Sequence, residues 1–385
     1  MNAIRTIMIS AGEVSGDVHG TAIVRELKKL DSNLRFIGMG SHRMAAEGVR
    51  LYADISSINS VGALEPIQHL PRFLKTLRMM KRAMEEEKPD LFLPIDSQGF
   101  HKPLMKLAKR LGIPTVYYIA PQEWLWGTKK KGEEVLRMCS KVLCIFEKEY
   151  QFYNQLGDNA VYIGHPTVDL ATSSMSKKDF YKRFKIDAKN NILAIFPGSR
   201  AQEIKHTYPV LIKAAKKLQQ KLKGLQLVIS ISSPWFEGEV IRRAESEGME
   251  NVIFYKENPY DLIANSMLSF VSSGTITLEH AVLGTPCIAC YRFPALSYWV
   301  IRQVIEKKFK KIKYIAMPNI IAGKMIMPEF LQDNATPENI VHEAIPLITD
   351  PEYQKKMKTE IMAIQSQLGK AGVIKRAASE IFDTL

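Results

Sequence analysis

The chain has 385 residues and a net charge of +13, and this length favours two domains over a single core. Its composition, with 46% hydrophobic and 24% charged residues, is that of an ordinary globular protein. No signal peptide is evident, no window reaches the roughly 18 apolar residues of a membrane span, and 4 cysteines do not make a disulfide scaffold. We therefore expect a cytoplasmic protein whose charge favours an anionic partner: nucleic acid, an anionic membrane or a phosphorylated small molecule.

Strand-like runs alternate with helical patterns through the first half of the chain. The runs that indicate strands are "TIMISAG", "LRFIGMG", "PDLFLPID", "PTVYYIAPQEW" and "KVLCIFEKE". Helical patterns such as "TAIVRELKKL" and "KPLMKLAKRLG" lie between them. This βαβ order is typical of a mostly parallel sheet with helices on both faces.

The same order begins again after residue 190. The strand-like runs there are "NILAIFPGSR", "LQLVISIS", "VIFYK", "LSFVSSG" and "TPCIACYRF". The polar segment 164–187 between the halves is the best linker candidate. The sequence therefore predicts an α/β protein with two doubly wound, Rossmann-like domains facing a cleft, over residues 1–170 and 190–385. The last helix is free to pack back on the first domain. Ligands of such sheets bind beyond the carboxyl ends of the strands.

Two loops of the second half have features that favour an anion. "FPGSRAQE" offers Arg200, whose guanidinium can hold a phosphate through two hydrogen bonds. "VSSGTITLEH" places Ser273, Gly274 and Thr275 before a helix, where free N–H groups and the helix dipole attract negative charge, and Glu279 one turn later is within reach of ribose hydroxyls. Plain alternatives are a capped turn with a surface arginine and an ordinary helix cap. We expect a nucleotide diphosphate in this half.

Asp96 ends a wholly apolar strand in "LFLPIDSQGFH". A buried carboxylate is unfavourable unless it has a function, so Asp96 is a candidate general base. The alternative is a helix cap or an Asx turn. His101 and His19 lie near the same edge of the predicted sheet. A single histidine, however, more often only forms hydrogen bonds than takes part in catalysis.

The loop "AGEVSGDVHG" is rich in glycine, but it also carries carboxylates that repel an anion. Carboxylates accept hydrogen bonds from sugar hydroxyls, so we expect Gly12, Glu13, Ser15 and Asp17 on the side of a sugar acceptor. Cys287 and Cys290 form a CxxC pair without a second pair at zinc spacing. Buried core thiols are the favoured interpretation of this pair.

The segment 70–84, "LPRFLKTLRMMKRAM", has apolar residues at helical spacing that are flanked by basic ones. The residues predicted to form its apolar face are Leu70, Phe73, Leu74, Leu77 and Met84. One hypothesis is a helix that lies on an anionic membrane, and the alternative is a helix packed on its own sheet. The segment 297–314, which mixes aromatic and basic residues, is a second candidate for membrane contact.

Taken together, the motifs resemble the lipid-A-disaccharide synthases, inverting glycosyltransferases with the GT-B fold. The resemblance covers nearly the whole chain in order. It rests on "AGEVSGD", "ID" at 95–96, "PQEWLW", "FEKEYQFY" leading to "IGHP", "FPGSR", "SSGT" with "LE" at 278–279, and "MPNIIAGK" running to "PEFLQ".

The resemblance implies transfer of a diacylated glucosamine from UDP to the 6-hydroxyl of diacylglucosamine 1-phosphate (lipid X). It implies a catalytic role for Asp96, with Arg200, Ser273, Gly274, Thr275 and Glu279 at the UDP site. It further implies donor contacts by Asn319, Glu329 and Gln332. The chain departs from the family pattern at Gly99, where a second aspartate is common, and this puts acceptor or acyl-chain preference in question.

The lipid substrates imply peripheral association with the inner membrane surface. No cofactor or metal is expected, since the chain has no Asp-x-Asp motif and Arg200 with the helix after Ser273 can stabilise the departing UDP. A UDP-sugar 2-epimerase of the same fold is the alternative enzyme. A nucleic-acid binder is disfavoured because RNP-type and zinc motifs are missing.

Overall fold

The computed structural model describes residues 4–55, 66–272, 274–293 and 313–385, without the side chains of 66–69 and 126. The strands are β1 Thr6–Ala11, β2 Arg35–Gly40, β3 Arg50–Asp54, β4 Leu91–Ile95, β5 Val116–Tyr118, β6 Lys141–Cys144, β7 Ala160–Tyr162, β8 Asn191–Phe196, β9 Leu225–Ser230, β10 Val252–Tyr255, β11 Leu268–Ser272, β12 Cys287–Tyr291 and β13 Glu329–Leu331.

One or more α-helices follow each strand in most of the described chain. They are α1 Val14–Leu30, α2 His42–Ala46, α3 Pro66–Glu87, α4 Gln98–Arg110, α5 Glu123–Trp126, α6 Lys129–Met138, α7 Glu147–Asn154, α8 Thr167–Leu170, α9 Lys177–Arg183, α10 Tyr208–Lys221, α11 Pro234–Ser246, α12 Pro259–Asn265, α13 Ile276–Leu283, α14 Met317–Ala322, α15 Pro337–Thr349, α16 Pro351–Gln365 and α17 Val373–Phe382. A π-helical turn, Glu203–Thr207, precedes α10.

The chain divides into two compact units. The first contains residues 1–169 and 368–385, and the second contains residues 170–367. The last helix, α17, packs back against α1 and belongs to the first unit, which the sequence left open, and the second unit begins at residue 170. The predicted linker 164–187 is also more ordered than expected, since it contains α8 and α9.

The first unit is built on a seven-stranded parallel sheet with the strand order β3-β2-β1-β4-β5-β6-β7. Its central strands read as continuous apolar runs because helices cover both faces of a parallel sheet; every residue of β1 and β4 is buried. The strand order reverses direction between β1 and β4. The loops after these two strands therefore flank the point where doubly wound sheets bind their ligands.

The second unit repeats this plan with a six-stranded parallel sheet in the order β10-β9-β8-β11-β12-β13. Its reversal lies between β8 and β11, the strands followed by the "PGSR" and "SSGT" loops. Cys287 and Cys290 both lie within β12 with 0% exposure. This confirms that the CxxC pair consists of core thiols.

Helix α3 packs on the sheet of the first unit along most of its length. Leu77, Met80 and Met84 are buried in the core, and the Phe73 ring meets the edge of Phe100 at a centroid distance of 5.3 Å. For Leu77 and Met84 the alternative of a helix packed on its own sheet is therefore confirmed, and the hypothesis that they face a membrane is wrong.

The N-terminal end of α3 keeps two leucines at the surface. Leu70 is 48% and Leu74 is 37% exposed. Of the second candidate segment, residues 297–312 lie outside the described part of the chain. Within the described part, the helices are too short or too polar to cross a membrane.

Candidate active site

The backbone of Asp96 is fixed from three sides at the carboxyl end of β4. Its N–H donates to the Tyr118 carbonyl at 3.1 Å, and its carbonyl accepts the Tyr117 hydroxyl at 2.8 Å and His101 Nδ1 at 2.7 Å. Asp96 and Ser97 have φ values of +50° and +46°. Successive left-handed residues that are not glycine are unfavourable and persist only where surrounding contacts hold them, often at functional sites.

This backbone turn places the Asp96 side chain at the surface. The residue is exposed, although the strand before it is entirely buried. The expectation of a buried carboxylate is therefore corrected: the two left-handed residues turn the chain outward directly after Ile95. The carboxylate can reach a ligand in solvent without a large desolvation penalty.

The imidazole ring of His101, in one defined tautomer, is hydrogen-bonded to the Asp96 carbonyl. A carbonyl only accepts, so Nδ1 must carry the proton, and Nε2 then accepts the hydrogen bond from the Ser10 hydroxyl at 2.9 Å. Burial lowers the pKa of His101 to about 4, so the ring is neutral at neutral pH. The expectation that His101 serves as a hydrogen-bonding group is confirmed.

Gly12 allows the loop after β1 to touch the loop after β4. A Cβ at position 12 would lie 2.3 Å from Ser97 Oγ and 2.4 Å from Ser97 Cβ, which is far inside contact distance. The two loops at the strand-order reversal are therefore in contact. Glu13 and Ser15, at the start of α1, are both half-buried beside this contact.

Asp17 has a structural role instead of the predicted sugar contact. It has 0% exposure, and its carboxylate accepts the Ser41 backbone N–H at 2.6 Å and the Ser41 hydroxyl at 2.5 Å. Ser41 caps α2, so Asp17 joins α1 to the start of α2. Asp17 lies one turn into α1, a helix that packs on the sheet, and its side chain points into the protein.

Two further carboxyl groups at this edge were missed from the sequence. Glu123, with 5% exposure, accepts a hydrogen bond from Gln98 at 2.8 Å. Glu149, with 0% exposure, accepts the Ile145 backbone N–H at 2.7 Å. Their position in the sequence could have indicated them, because each lies within a few residues of the end of an apolar strand, as Asp96 does.

In the second unit, the loop after β8 is folded around a buried carboxylate. Glu203 accepts the backbone N–H groups of Ser199 at 2.7 Å and Arg200 at 3.1 Å, and a Cβ on Gly198 would lie 2.4 Å from its carboxylate. These N–H groups are thus engaged within the protein. The group that the loop presents is the Arg200 guanidinium, whose side chain is 48% exposed and hydrogen-bonded to Tyr291.

The loop after β11 leads into α13. Ser273 lies outside the described residues, while Gly274 and Thr275 are exposed. Thr275 makes no capping hydrogen bond through its side chain. Glu279 lies half-buried in the first turn, and burial raises the pKa of its carboxyl to about 7. Because β8 and β11 are neighbours, this loop and the Arg200 loop lie at adjacent strand ends.

Asn319 is a structural residue and not the expected donor contact. It has 0% exposure; its amide donates to Met327 at 2.7 Å and to Glu329 at 3.1 Å, and its Oδ1 accepts the N–H groups of Ile326 and Met327. All its hydrogen-bonding capacity is therefore used inside the protein.

Glu329 and Gln332 are held in a similar way. The Glu329 carboxylate accepts the N–H groups of Ile315 at 2.9 Å and Ala316 at 2.8 Å, directly before α14. Gln332 accepts the Phe293 N–H at 2.6 Å. These residues shape the segments around α14 and β13, and their contact with the donor stays a prediction.

Comparisons with known proteins agree with this architecture. The sequence model described as lipid-A-disaccharide synthetase matches residues 7–381. The lipid-A-disaccharide synthase of Geobacter metallireducens is 32% identical over 381 residues, covering 99% of this chain and 97% of that protein. The lipid-A-disaccharide synthase of Myxococcus xanthus is 31% identical over 379 residues, covering 98% and 97%.

Among solved structures, the UDP-GlcNAc 2-epimerase from Neisseria meningitidis bound to UDP-GlcNAc has a TM-score of 0.65 at 14% identity, with coverage of 98% and 99%. An identity this low shows a shared fold only.

Two Rossmann-like units with loops at both strand-order reversals define the GT-B fold class. Within that class, the chain belongs to the lipid-A-disaccharide synthase family. It is accordingly a UDP-dependent glycosyltransferase. The 2-epimerases, the alternative considered from the sequence, are relatives in fold.

Proposed function

We propose that the chain transfers 2,3-diacylglucosamine from UDP-2,3-diacylglucosamine to the 6-hydroxyl of 2,3-diacylglucosamine 1-phosphate (lipid X) and releases UDP. The observation that carries this proposal is the exposed Asp96 carboxylate on a fixed backbone at the strand-order reversal of the first sheet. An assay with both lipid substrates and products read by mass tests it. Release of UDP that requires lipid X distinguishes the transferase from an epimerase.

Asp96 is the general base in this mechanism. Its carboxylate accepts the proton of the acceptor hydroxyl while the hydroxyl oxygen attacks the anomeric carbon from the face opposite to UDP, which inverts the configuration. A positioned base contributes roughly 10²–10⁴-fold to rate. The neutral His101 and the Tyr117 hydroxyl hold the Asp96 carbonyl and thereby fix the backbone that carries the carboxylate.

The donor side of the mechanism belongs to the second unit. The Arg200 guanidinium contacts the diphosphate, and the start of α13, with Ser273, Gly274 and Thr275, faces it with the positive end of the helix dipole. Both stabilise the negative charge that develops on UDP as it departs. The ionised Glu279 carboxylate accepts hydrogen bonds from the ribose hydroxyls.

The remaining family positions act indirectly. Asn319, Glu329 and Gln332 position the segments around α14 and β13 through their hydrogen bonds. On the acceptor side, Gly12 brings the loop after β1 against Ser97, and the half-buried Glu13 and Ser15 are the groups that this loop offers to sugar hydroxyls.

We further propose that the N-terminal part of α3 contacts the inner membrane surface from the cytoplasmic side. The exposed Leu70 and Leu74 lie among the exposed Arg72, Lys75 and Arg78, as expected for a helix that meets anionic lipid. The contact is smaller than the sequence suggested, since the rest of the apolar face packs on the sheet. Substrates with two acyl chains remain in the bilayer, so the enzyme has to approach it.

A further inference from the structure

Three neighbouring strands of the first sheet are each followed by a carboxyl group. The strands β4, β5 and β6 are consecutive in the sheet, and Asp96, Glu123 and Glu149 follow them in that order. Asp96 is exposed, and Glu123 receives a hydrogen bond from Gln98. Glu149 is completely buried, and it differs from Glu123 in having a buried carboxyl oxygen without a hydrogen-bond partner in the described part of the chain.

The two carboxyl oxygens of Glu149 have different surroundings. Oε2 accepts the Ile145 N–H at 2.7 Å, so a side chain in the first turn of α7 reaches back to the backbone before the helix, as in a capping box. Oε1 is buried and has no hydrogen-bond partner within the described part of the chain. A carboxylate oxygen in that position is unfavourable, whereas a protonated one is much less so.

The acidic groups near Glu149 in the described part of the chain disfavour a negative charge on its carboxyl. The Cys144 thiol lies at the end of β6, and the Tyr153 hydroxyl on α7 donates to the Pro121 carbonyl at 2.7 Å. From the neighbouring loops, the charge of Asp96 acts on Glu149 and that of Glu123 acts on Tyr153. An ionised Glu149 would thus add a second negative charge that interacts with Asp96.

We propose that Glu149 is a positioning residue that works as a neutral carboxylic acid, fixing the loop after β6 while adding no charge that acts on the base Asp96. The catalytic part of this inference rests on the proposed function of Asp96. The structural part does not, because the hydrogen bond to Ile145 and the burial of Oε1 are independent of the reaction.

The protonation behaviour of Glu149 agrees with this role. Burial, and to a lesser degree the charge of Asp96, raises the pKa of Glu149 from 4.5 to about 8, against the opposing effect of the Ile145 and Phe146 N–H groups. Between these pH values the folded state keeps a proton that the unfolded state has lost. The contribution of Glu149 to stability therefore falls as pH rises from about 4.5 to about 8.

The test compares Glu149→Gln with Glu149→Ala in the full chain. Glutamine keeps an oxygen for the Ile145 N–H and places an uncharged NH₂ where the acid carries its proton, whereas alanine leaves the N–H without a partner. We expect Gln to retain most of the turnover at pH 7 and Ala to lose about tenfold or more, equivalent to about 1.4 kcal/mol. UDP binding should be unchanged in both variants.

The melting temperature provides a readout separate from activity. Relative to wild type, Glu149→Gln should gain stability as pH rises from 5 to 8, by about 2 °C or more across that range. The matched control is Glu147→Gln, an exposed acid in the same turn of α7, whose difference from wild type should not change with pH. The activity of wild type should also decline above about pH 8, and that of Glu149→Gln should not.

Two results would overturn the inference: a Gln variant as impaired as the Ala variant, or a stability difference between Gln and wild type that does not depend on pH. If Ala fails to fold, the comparison of Gln with wild type decides alone. Should Asp96 prove not to be the base, the pH-dependent stability difference would persist, so the two failures can be distinguished.

Discussion

Gly12 and Ser97 join the two loops that flank the strand-order reversal of the first sheet. No side chain fits at position 12, since its Cβ would lie 2.3 Å from Ser97 Oγ. The position of the loop carrying Asp96 therefore depends on a glycine more than 80 residues earlier in the chain.

Substitution of Gly12 by alanine should push the Asp96 loop out of place. We expect Gly12→Ala to lower turnover by about tenfold or more, because a displacement of about 1 Å is enough to disturb a reacting group strongly. UDP affinity should not change, since the UDP loops lie in the second unit. Steady-state kinetics and UDP titration measure the two effects.

A second substitution tests the cause. Ser97→Gly removes both atoms that the new Cβ would meet and suits the left-handed backbone at φ +46°. The double variant should therefore recover much of the lost turnover. A double variant as slow as Gly12→Ala would show that this contact is not responsible.

Arg200 should account for a large part of UDP binding. We expect Arg200→Ala to weaken UDP binding by about 1.5–3 kcal/mol, typical of a hydrogen bond to a charged group, as measured by calorimetric titration. Lys189→Ala removes an exposed cation that precedes β8, at the opposite edge of the same sheet, and should leave the affinity unchanged. Equal effects of both substitutions would indicate general electrostatic attraction and not a specific contact.

Ten of the thirteen strands in the described residues, and the loops at both strand-order reversals, could be predicted because apolar runs and glycine-rich turns are local signals. The strands β3, β7 and β13 were missed from the sequence. The direction in which a given side chain points could not be predicted from the sequence. Asp17 and Asn319 lie in motifs shared with the family, but a motif does not show whether a polar group faces a ligand or, as here, Ser41 and Met327. Asp96 follows a buried strand, and its exposure depends on two left-handed residues that no sequence pattern indicates.

Binding of UDP should strengthen with pH near neutrality because of Glu279. Burial raises the pKa of this carboxyl to about 7, so the carboxyl becomes fully ionised only above that pH. The ionised form is the better acceptor of hydrogen bonds from the ribose hydroxyls. We expect UDP affinity to rise between pH 6 and 8 more steeply in wild type than in Glu279→Gln, whose remaining slope reports the ionisation of UDP itself. Parallel slopes in the two proteins would exclude a titrating role for Glu279.

Membrane contact through α3 should depend on its exposed residues. Each basic residue near anionic lipid contributes about 1 kcal/mol, and the attraction weakens with salt. In co-sedimentation with anionic vesicles at low salt, Leu74→Ser with Lys75→Glu should bind at least about tenfold more weakly than wild type.

The control for this measurement is Met362→Ser with Lys358→Glu. These are an exposed methionine and lysine of α16 in the second unit, and their replacement should leave vesicle binding as in wild type. If wild-type protein does not co-sediment with the vesicles at low salt, α3 has a purely structural role.

The role of Asp96 as the base is tested most directly by the turnover of Asp96→Asn with UDP-diacylglucosamine and lipid X. Asparagine tolerates the left-handed backbone at φ +50°, so the fold and UDP affinity should be preserved. Turnover should fall by at least about 100-fold, whereas Asp158→Asn, at an exposed position of the same unit, should be neutral. An Asp96→Asn variant that turns over within a few fold of wild type would contradict the mechanism.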